Sequence, residues 1–254
     1  MSMLEVAALS RSFGGLRAVD GVGFEAEARR ITAVIGPNGA GKTTLFNLIS
    51  GSLIPDAGRV VFDGEDITGM KPFRVARRGI ARTFQTVKLS RRMTALENVM
   101  IGRHVRSRAG FASGMLAAPW ARKEERSIRE EAMKAIELLG IADYRDKETG
   151  SLPFGMQRSV ELARAIAAEP KLLLLDEPAS GLNVRETRVL AELISRIRGK
   201  GITILVVEHD MSLVMDISDQ IVVLNFGRKI AQGKPREIQA NREVIDIYLG
   251  EEDA

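Results

Sequence analysis

Between a run of β-branched residues, ITAVI (31–35), and a helix-forming segment that begins at Lys42 stands GPNGAGKTT (36–44). No other feature constrains the chain as much, because it demands three successive elements: a strand, a glycine-rich loop and the start of a helix. Glycines let several backbone N–H groups converge on phosphate oxygens, and the helix N-terminus adds partial positive charge. In that geometry Lys42 reaches the β- and γ-phosphates of ATP, and the Thr43 hydroxyl is placed to ligate Mg²⁺. Gly36, Asn38, Gly39, Gly41, Lys42, Thr43 and Thr44 are therefore candidate contacts to the nucleotide.

A loop of this kind needs a second set of groups at neighbouring strand ends. KLLLLDEP (171–178) reads as a buried parallel strand that ends on two acids. Asp176 suits the Mg²⁺ shell, and Glu177 suits the orientation or deprotonation of an attacking water. Two acids are needed because one stays with the metal while the other faces the nucleophile. VVEHD (206–210) closes another apolar strand with His209, at the edge where doubly wound sheets bind ligands, so its imidazole is a candidate contact to the γ-phosphate. GIARTF (79–84) reads as a further strand ending at Gln85, whose amide is a candidate ligand to Mg²⁺ or the water. His104 lacks such a context and reads as surface.

Strand–helix alternation predicts an α/β fold with a mainly parallel sheet. Helices are predicted from about Lys42 to Ile49, at about 184–198 and at about 211–217, and RVVF with Asp63-Gly64 predicts a tight hairpin. Alternation stops between Gln85 and about 150. There TALE (94–97) offers a capping box, and residues 122–139 place Ile128, Ala132, Ala135, Ile136 and Leu139 on one helical face. The stretch GRHVRSRAGFASGMLAAPW between them has no period. A helical insert thus interrupts an α/β core.

Cysteine is absent, which removes disulfide frameworks and thiolate metal sites. MSMLEVAALSRSFGG lacks the basic-then-apolar pattern of an export signal, and no apolar run approaches the ~20 residues of a membrane span. Any membrane role therefore requires spanning helices from another chain. The net charge is only +4, yet residues 71–130 hold 15 Lys and Arg against 4 Asp and Glu. That surface is either simply solvated or turned towards anionic headgroups or nucleic acid.

The order and spacing of the phosphate loop, Gln85, the loop in LPFGMQRSVELARAI (152–166), LLLLDEP, SGLN (180–183) and His209 resemble the nucleotide-binding subunit of ATP-binding cassette (ABC) transporters over nearly the whole chain. The resemblance implies a P-loop NTPase core with an antiparallel β subdomain, formed by 1–85 and 168–254, and an inserted helical subdomain, 86–167. It implies that Phe13 stacks on adenine. It also implies that the 152–157 loop reads, in trans, the ATP held by a facing subunit, with Gly155, Met156 and Gln157 as the contacts. The family's LSGGQ signature is altered here: Pro153 replaces the serine and has no N–H, and Gln157 lies one place beyond the family's glutamine. A composite site built with this loop is expected to be the weaker of a pair.

FGGLRAVDGV, GIARTFQ, VVEHDM and the closing IDIYLGE are similar to the ATPase subunits of bacterial branched-chain amino-acid importers, specifically the longer-insert subunit of their two. Urea and short-amide importers have closely similar ATPases. The partners implied are a second ABC ATPase subunit, identical or homologous, two transmembrane permease subunits and, indirectly, a substrate-binding protein, at the cytoplasmic face of the inner membrane. An ABC-type nucleic-acid ATPase would carry a long coiled coil between phosphate loop and signature, which residues 43–151 do not show, so no nucleic acid is expected. A small-molecule kinase has no need of the 152–157 loop, Glu177 and His209 together, and an inert ATP-binding regulator has no need of Lys42, Asp176, Glu177 and His209.

Overall fold

The computed structural model describes residues 1–105 and 119–249. Arg106 and Arg108 of the basic insert, most of its irregular stretch and the last residues of IDIYLGE lie outside the described residues. The chain forms two compact units, Met1–Arg82 with Lys171–Ala254, and Thr83–Pro170.

The first unit holds two sheets. β1 (Ser2–Phe13) and β2 (Leu16–Glu27) make a long hairpin that joins β4 (Ala57–Phe62) and β5 (Glu65–Asp66) in an antiparallel sheet of order β2-β1-β4-β5. Alternation passes over β1 and β2 because bulges break their register at several points, with Ala8 at φ 48°. The β4–β5 turn is the Asp63-Gly64 pair at φ 50° and 80°, as the dipeptide predicts.

The second sheet contains β3 (Ile31–Ile35), β6 (Ile80–Arg82), β7 (Leu172–Asp176), β8 (Thr203–Val207), β9 (Gln220–Asn225) and β10 (Arg228–Gly233). Its order is β10-β9-β3-β8-β7-β6, parallel except for β10. β3, β7 and β8 are buried at every position, the pattern of central parallel strands covered on both faces. Leu45, Phe46 and Ile49 of α1 (Lys42–Ile49) share one core with Leu4, Leu9 and Phe24 of the antiparallel sheet and with alternate residues of the parallel one, Leu172, Leu174, Leu205 and Val207. α6 (Val184–Gly199) and α7 (Met211–Ile217) pack on each other. α6 opens on a capping box in which Asn183 Oδ1 accepts from the Arg185 and Glu186 amides at 3.0 Å each.

β6 is shorter than GIARTF suggests. Its ladder with β7 ends at Arg82 opposite Leu174, and Gly79 instead ends an unforeseen helix, α2 (Pro72–Arg78). Beyond Arg82 the chain leaves the ladder, and the Phe84 and Gln85 carbonyls are met by an arginine.

The second unit is built on three mutually packed helices, α3 (Ala95–Gly102), α4 (Pro119–Leu138) and α5 (Phe154–Ala167). The capping box is present: Thr94 Oγ1 accepts the Glu97 amide at 3.1 Å, and Glu97 Oε2 accepts the Thr94 amide at 2.7 Å. Those bonds hold the Glu97 carboxyl below the ordinary range. Ala132, Ala135, Ile136 and Leu139 are buried, and Ile128 is half-buried. Among the described residues no helix is long and apolar enough to cross a membrane.

α3 approaches α5 so closely that a Cβ on Gly102 would stand 2.0 Å from the Arg164 carbonyl oxygen. Gly102→Ala is therefore expected to destabilise the helical unit by about 1–3 kcal/mol, as overpacking does, and a lower urea midpoint would show it.

Candidate nucleotide site

The parallel registers decide which loops meet. Val34 of β3 and Asp176 of β7 both lie opposite Val207 of β8, so the three strands end side by side. The phosphate loop, the Asp176–Glu177 pair and the Glu208–His209 pair consequently leave the sheet at one edge, the carboxyl edge where open α/β sheets bind ligands.

Gly41 caps the N-terminus of α1 at φ 98°, and a Cβ there would lie 2.2 Å from the Ala18 carbonyl oxygen, so only glycine fits. No side chain caps α1, whose N-terminus lies at the phosphate loop. Lys42 is buried, and its Nζ donates to the Gly36 and Pro37 carbonyls at 2.6 and 2.8 Å, so its charge lies within the loop. The β1–β2 hairpin runs against this loop at Ala18, and Phe13 is paired with Leu16 at the hairpin tip. Phe13 is 44% exposed, with the Arg11 guanidinium 5.1 Å from its ring centroid, so it is not a core residue.

Asp176 is buried and ion-paired. Arg82 Nη2 donates to Asp176 Oδ2 at 2.8 Å, while Arg82 Nη1 donates to Asn47 Oδ1 at 2.7 Å and Ser50 Oγ at 2.9 Å. The planar guanidinium thus braces the end of β7 against α1. Glu177 has φ 45°, an uncommon conformation for a residue with a Cβ, and its amide donates to the Val207 carbonyl at 2.9 Å. His209 Nδ1 stands 3.8 Å from Glu177 Oε2, too far for a hydrogen bond, with its ring largely exposed.

Glu208 is wholly buried. Its Oε1 accepts the Ala179 amide at 2.7 Å, and its Oε2 accepts the amides of His209 at 3.0 Å and Asp210 at 3.3 Å. Burial pushes this carboxyl up, and the three amides pull the other way.

Gln85 and the 152–157 loop belong to the helical unit. Pro153 caps α5 without a side-chain bond, and Phe154 is exposed. Gln157 Nε2 turns back to the Leu152 carbonyl at 2.9 Å. Arg158 joins the two segments: its Nη1 donates to the Phe84 carbonyl at 3.0 Å and to Glu161 Oε2 at 2.9 Å, and its Nη2 donates to the Gln85 carbonyl at 3.0 Å.

Arg82, Glu208 and Arg158 do not stand out in the sequence. The available signal is a charged residue inside or just after an otherwise apolar segment, as in GIARTF and ITILVVEHD, which burial makes costly unless it is paired.

The sheet and its loops define a nucleotide-binding protein of the P-loop class. The sequence pattern of the ABC transporter family matches residues 19–180, and that of the branched-chain amino acid ATP-binding cassette transporters matches residues 228–254. The high-affinity branched-chain amino acid transport ATP-binding protein BraF of Pseudomonas aeruginosa is 44% identical over 250 residues, 98% of either chain. Its counterpart LivG of Escherichia coli is 42% identical over the same extent. A solved nucleotide-free ATP-binding cassette from an ABC transporter is 34% identical and superimposes with a TM-score of 0.85, covering 98% of this chain and 99% of that one. An ADP-bound cassette gives 34% identity and 0.86, with the same coverage. The chain belongs to the ABC transporter family as one of its ATP-hydrolysing cassettes.

Proposed function

We propose that this chain powers the import of branched-chain amino acids through a membrane permease, bound peripherally at the cytoplasmic face of the inner membrane. The observation that carries the substrate class is the match of residues 228–254 to the branched-chain amino-acid cassettes, joined to full-length similarity with BraF and LivG. Two ATPase subunits, identical or homologous, sandwich ATP between one phosphate loop and the opposite 152–157 loop, and two permease subunits and a substrate-binding protein complete the machine.

In this reading Lys42 and the first amides of α1 hold the phosphates, and Phe13 stacks on adenine. Gly155, Met156 and Gln157 reach the ATP of the facing subunit. Thr43, Asp176 and Gln85 offer hard oxygen donors, the kind Mg²⁺ takes, and Mg²⁺ when bound offsets phosphate charge. Glu177 orients or deprotonates the attacking water, and His209 contacts the γ-phosphate. Catalysis by such a site is mostly positioning and charge stabilisation.

Charge-assisted bonds to phosphate are worth about 1.5–3 kcal/mol, so Lys42→Ala should weaken ATP binding by about 10- to 100-fold in equilibrium binding with a fluorescent analogue. The transport reading is tested in proteoliposomes that contain the permease chains co-purifying with this one. ATP-dependent uptake of leucine, isoleucine and valine is expected. Uptake of urea or short amides in their place would overturn the substrate, and undiminished turnover by a strictly monomeric chain would overturn the shared site.

A further inference from the structure

Glu208 lies between the two groups that the proposed mechanism uses, yet that mechanism gives it no task. Its carboxylate is wholly buried, and among the described residues no Lys or Arg pairs with it. Instead three backbone amides from two different loops converge on its two oxygens. Ala179 comes from the loop that follows Glu177; His209 and Asp210 come from the loop that follows β8. One side chain therefore staples the Glu177 loop to the His209 loop.

The staple has something to hold. Glu177 sits at φ 45°, a conformation that costs about 1–3 kcal/mol and persists only where its surroundings over-determine it. Further restraints include the Glu177 amide on the Val207 carbonyl at 2.9 Å and the Ser180 amide on the Glu177 carbonyl at 3.1 Å. The first ties the start of the turn to the end of β8, and the second lies within the turn. Glu208 ties the far side of that turn, at Ala179, to the segment carrying His209. A carboxylate suits the task because each of its oxygens accepts without donating, so every converging N–H is met.

We propose that Glu208 is a positioning residue for hydrolysis, holding the Glu177 carboxylate and the His209 imidazole in register across the ends of β7 and β8. The proposal rests on the reading of Glu177 and His209 as the groups that act on the water and the γ-phosphate. Glu208 touches neither nucleotide nor water; it acts through the backbone of both loops.

Glu208→Gln keeps the size of the side chain but turns one acceptor into an NH₂ group that faces an amide N–H. Displacements near 1 Å in a catalytic array cost up to about a hundredfold, so kcat of the assembled complex is expected to fall about tenfold or more. ATP affinity, set by the phosphate loop, should stay within about threefold, because the change spares the contacts that ground state and transition state share. Hydrogen exchange at the amides of Ala179 and His209 should quicken. Glu208→Asp, which keeps the charge but is one methylene shorter, should recover part of the lost rate. Wild-type kcat in Glu208→Gln, or equal losses of kcat and ATP affinity, would overturn the proposal. If Glu208→Gln fails to fold, Glu208→Asp is judged by the same split between rate and affinity. Glu177→Gln, measured in parallel, separates the two levels: turnover surviving in that variant refutes the mechanism beneath, whereas turnover lost there but intact in Glu208→Gln refutes the staple alone.

Discussion

Glu177→Gln is expected to lower kcat by at least about a hundredfold while ATP binding stays within about threefold of the parent. Glutamine keeps the shape and the neutral contacts of glutamate but cannot take a proton. General-base assistance typically contributes about 10²- to 10⁴-fold. The backbone around Glu177 is fixed by its own turn and by the end of β8, so the substitution removes chemistry and leaves geometry. Because closure around ATP precedes hydrolysis in the proposed cycle, the variant should also accumulate an ATP-bound dimer. Phosphate release measures the first effect, and light scattering with and without ATP measures the second. Unimpaired turnover would remove Glu177 from the mechanism, and lost turnover with only monomers at saturating ATP would count against the shared site.

Arg158→Met is expected to cost the fold more than any other single change considered. Arg158 and Glu161 are 2% and 1% exposed, and the same guanidinium satisfies the Phe84 and Gln85 carbonyls. Removing one member of a buried ion pair costs about 3–5 kcal/mol, and Glu161 would keep only Arg164, whose Nη2 is 3.8 Å from its Oε1, as a charged partner among the described residues. Burial already pushes the Glu161 carboxyl up from its ordinary 4.5, with Arg158 as the main opposing influence. Without Arg158 the folded-state value rises further above the unfolded one. The folded state then binds more protons than the unfolded state, so stability is greatest below the unfolded value and is lost as pH rises through the folded one. Urea unfolding should accordingly show a large deficit at neutral pH that shrinks on acidification towards pH 5. A deficit independent of pH would mean that packing, not the stranded carboxylate, is what the substitution removes. The Gln85 segment should also lose its anchor, visible as faster exchange in residues 84–87.

The legible parts of this protein were those whose information is local. ITAVI followed by GPNGAGKTT specifies strand, loop and helix within fourteen residues, and α1 runs over Lys42–Ile49 as read. TALE announced a cap whose two bonds both lie within four residues. Asp63-Gly64 announced a turn for the same reason. β1 and β2 were not legible from alternation, because their bulges answer to partner strands rather than to a period of two. The end of β6 was not legible either. Its ladder with β7 closes at Arg82 although β7 runs on to Asp176, and nothing within GIARTF records where the chain leaves the sheet.

The candidate site divides along the same line. Residue types and their order settled which side chains could serve ATP, because phosphate, Mg²⁺ and water each demand particular donors and acceptors at the ends of strands. The sequence also settled, through its resemblance and family matches, that the chain is an ABC cassette. The tertiary structure alone decided what holds those side chains: Arg82 against Asp176, Glu208 between the loops of Glu177 and His209, and Arg158 beneath Gln85. The physical reason is that the cost of a buried charge depends on which distant groups the fold brings within hydrogen-bonding reach, and the partners here lie 94, 29 and 73 positions apart along the chain.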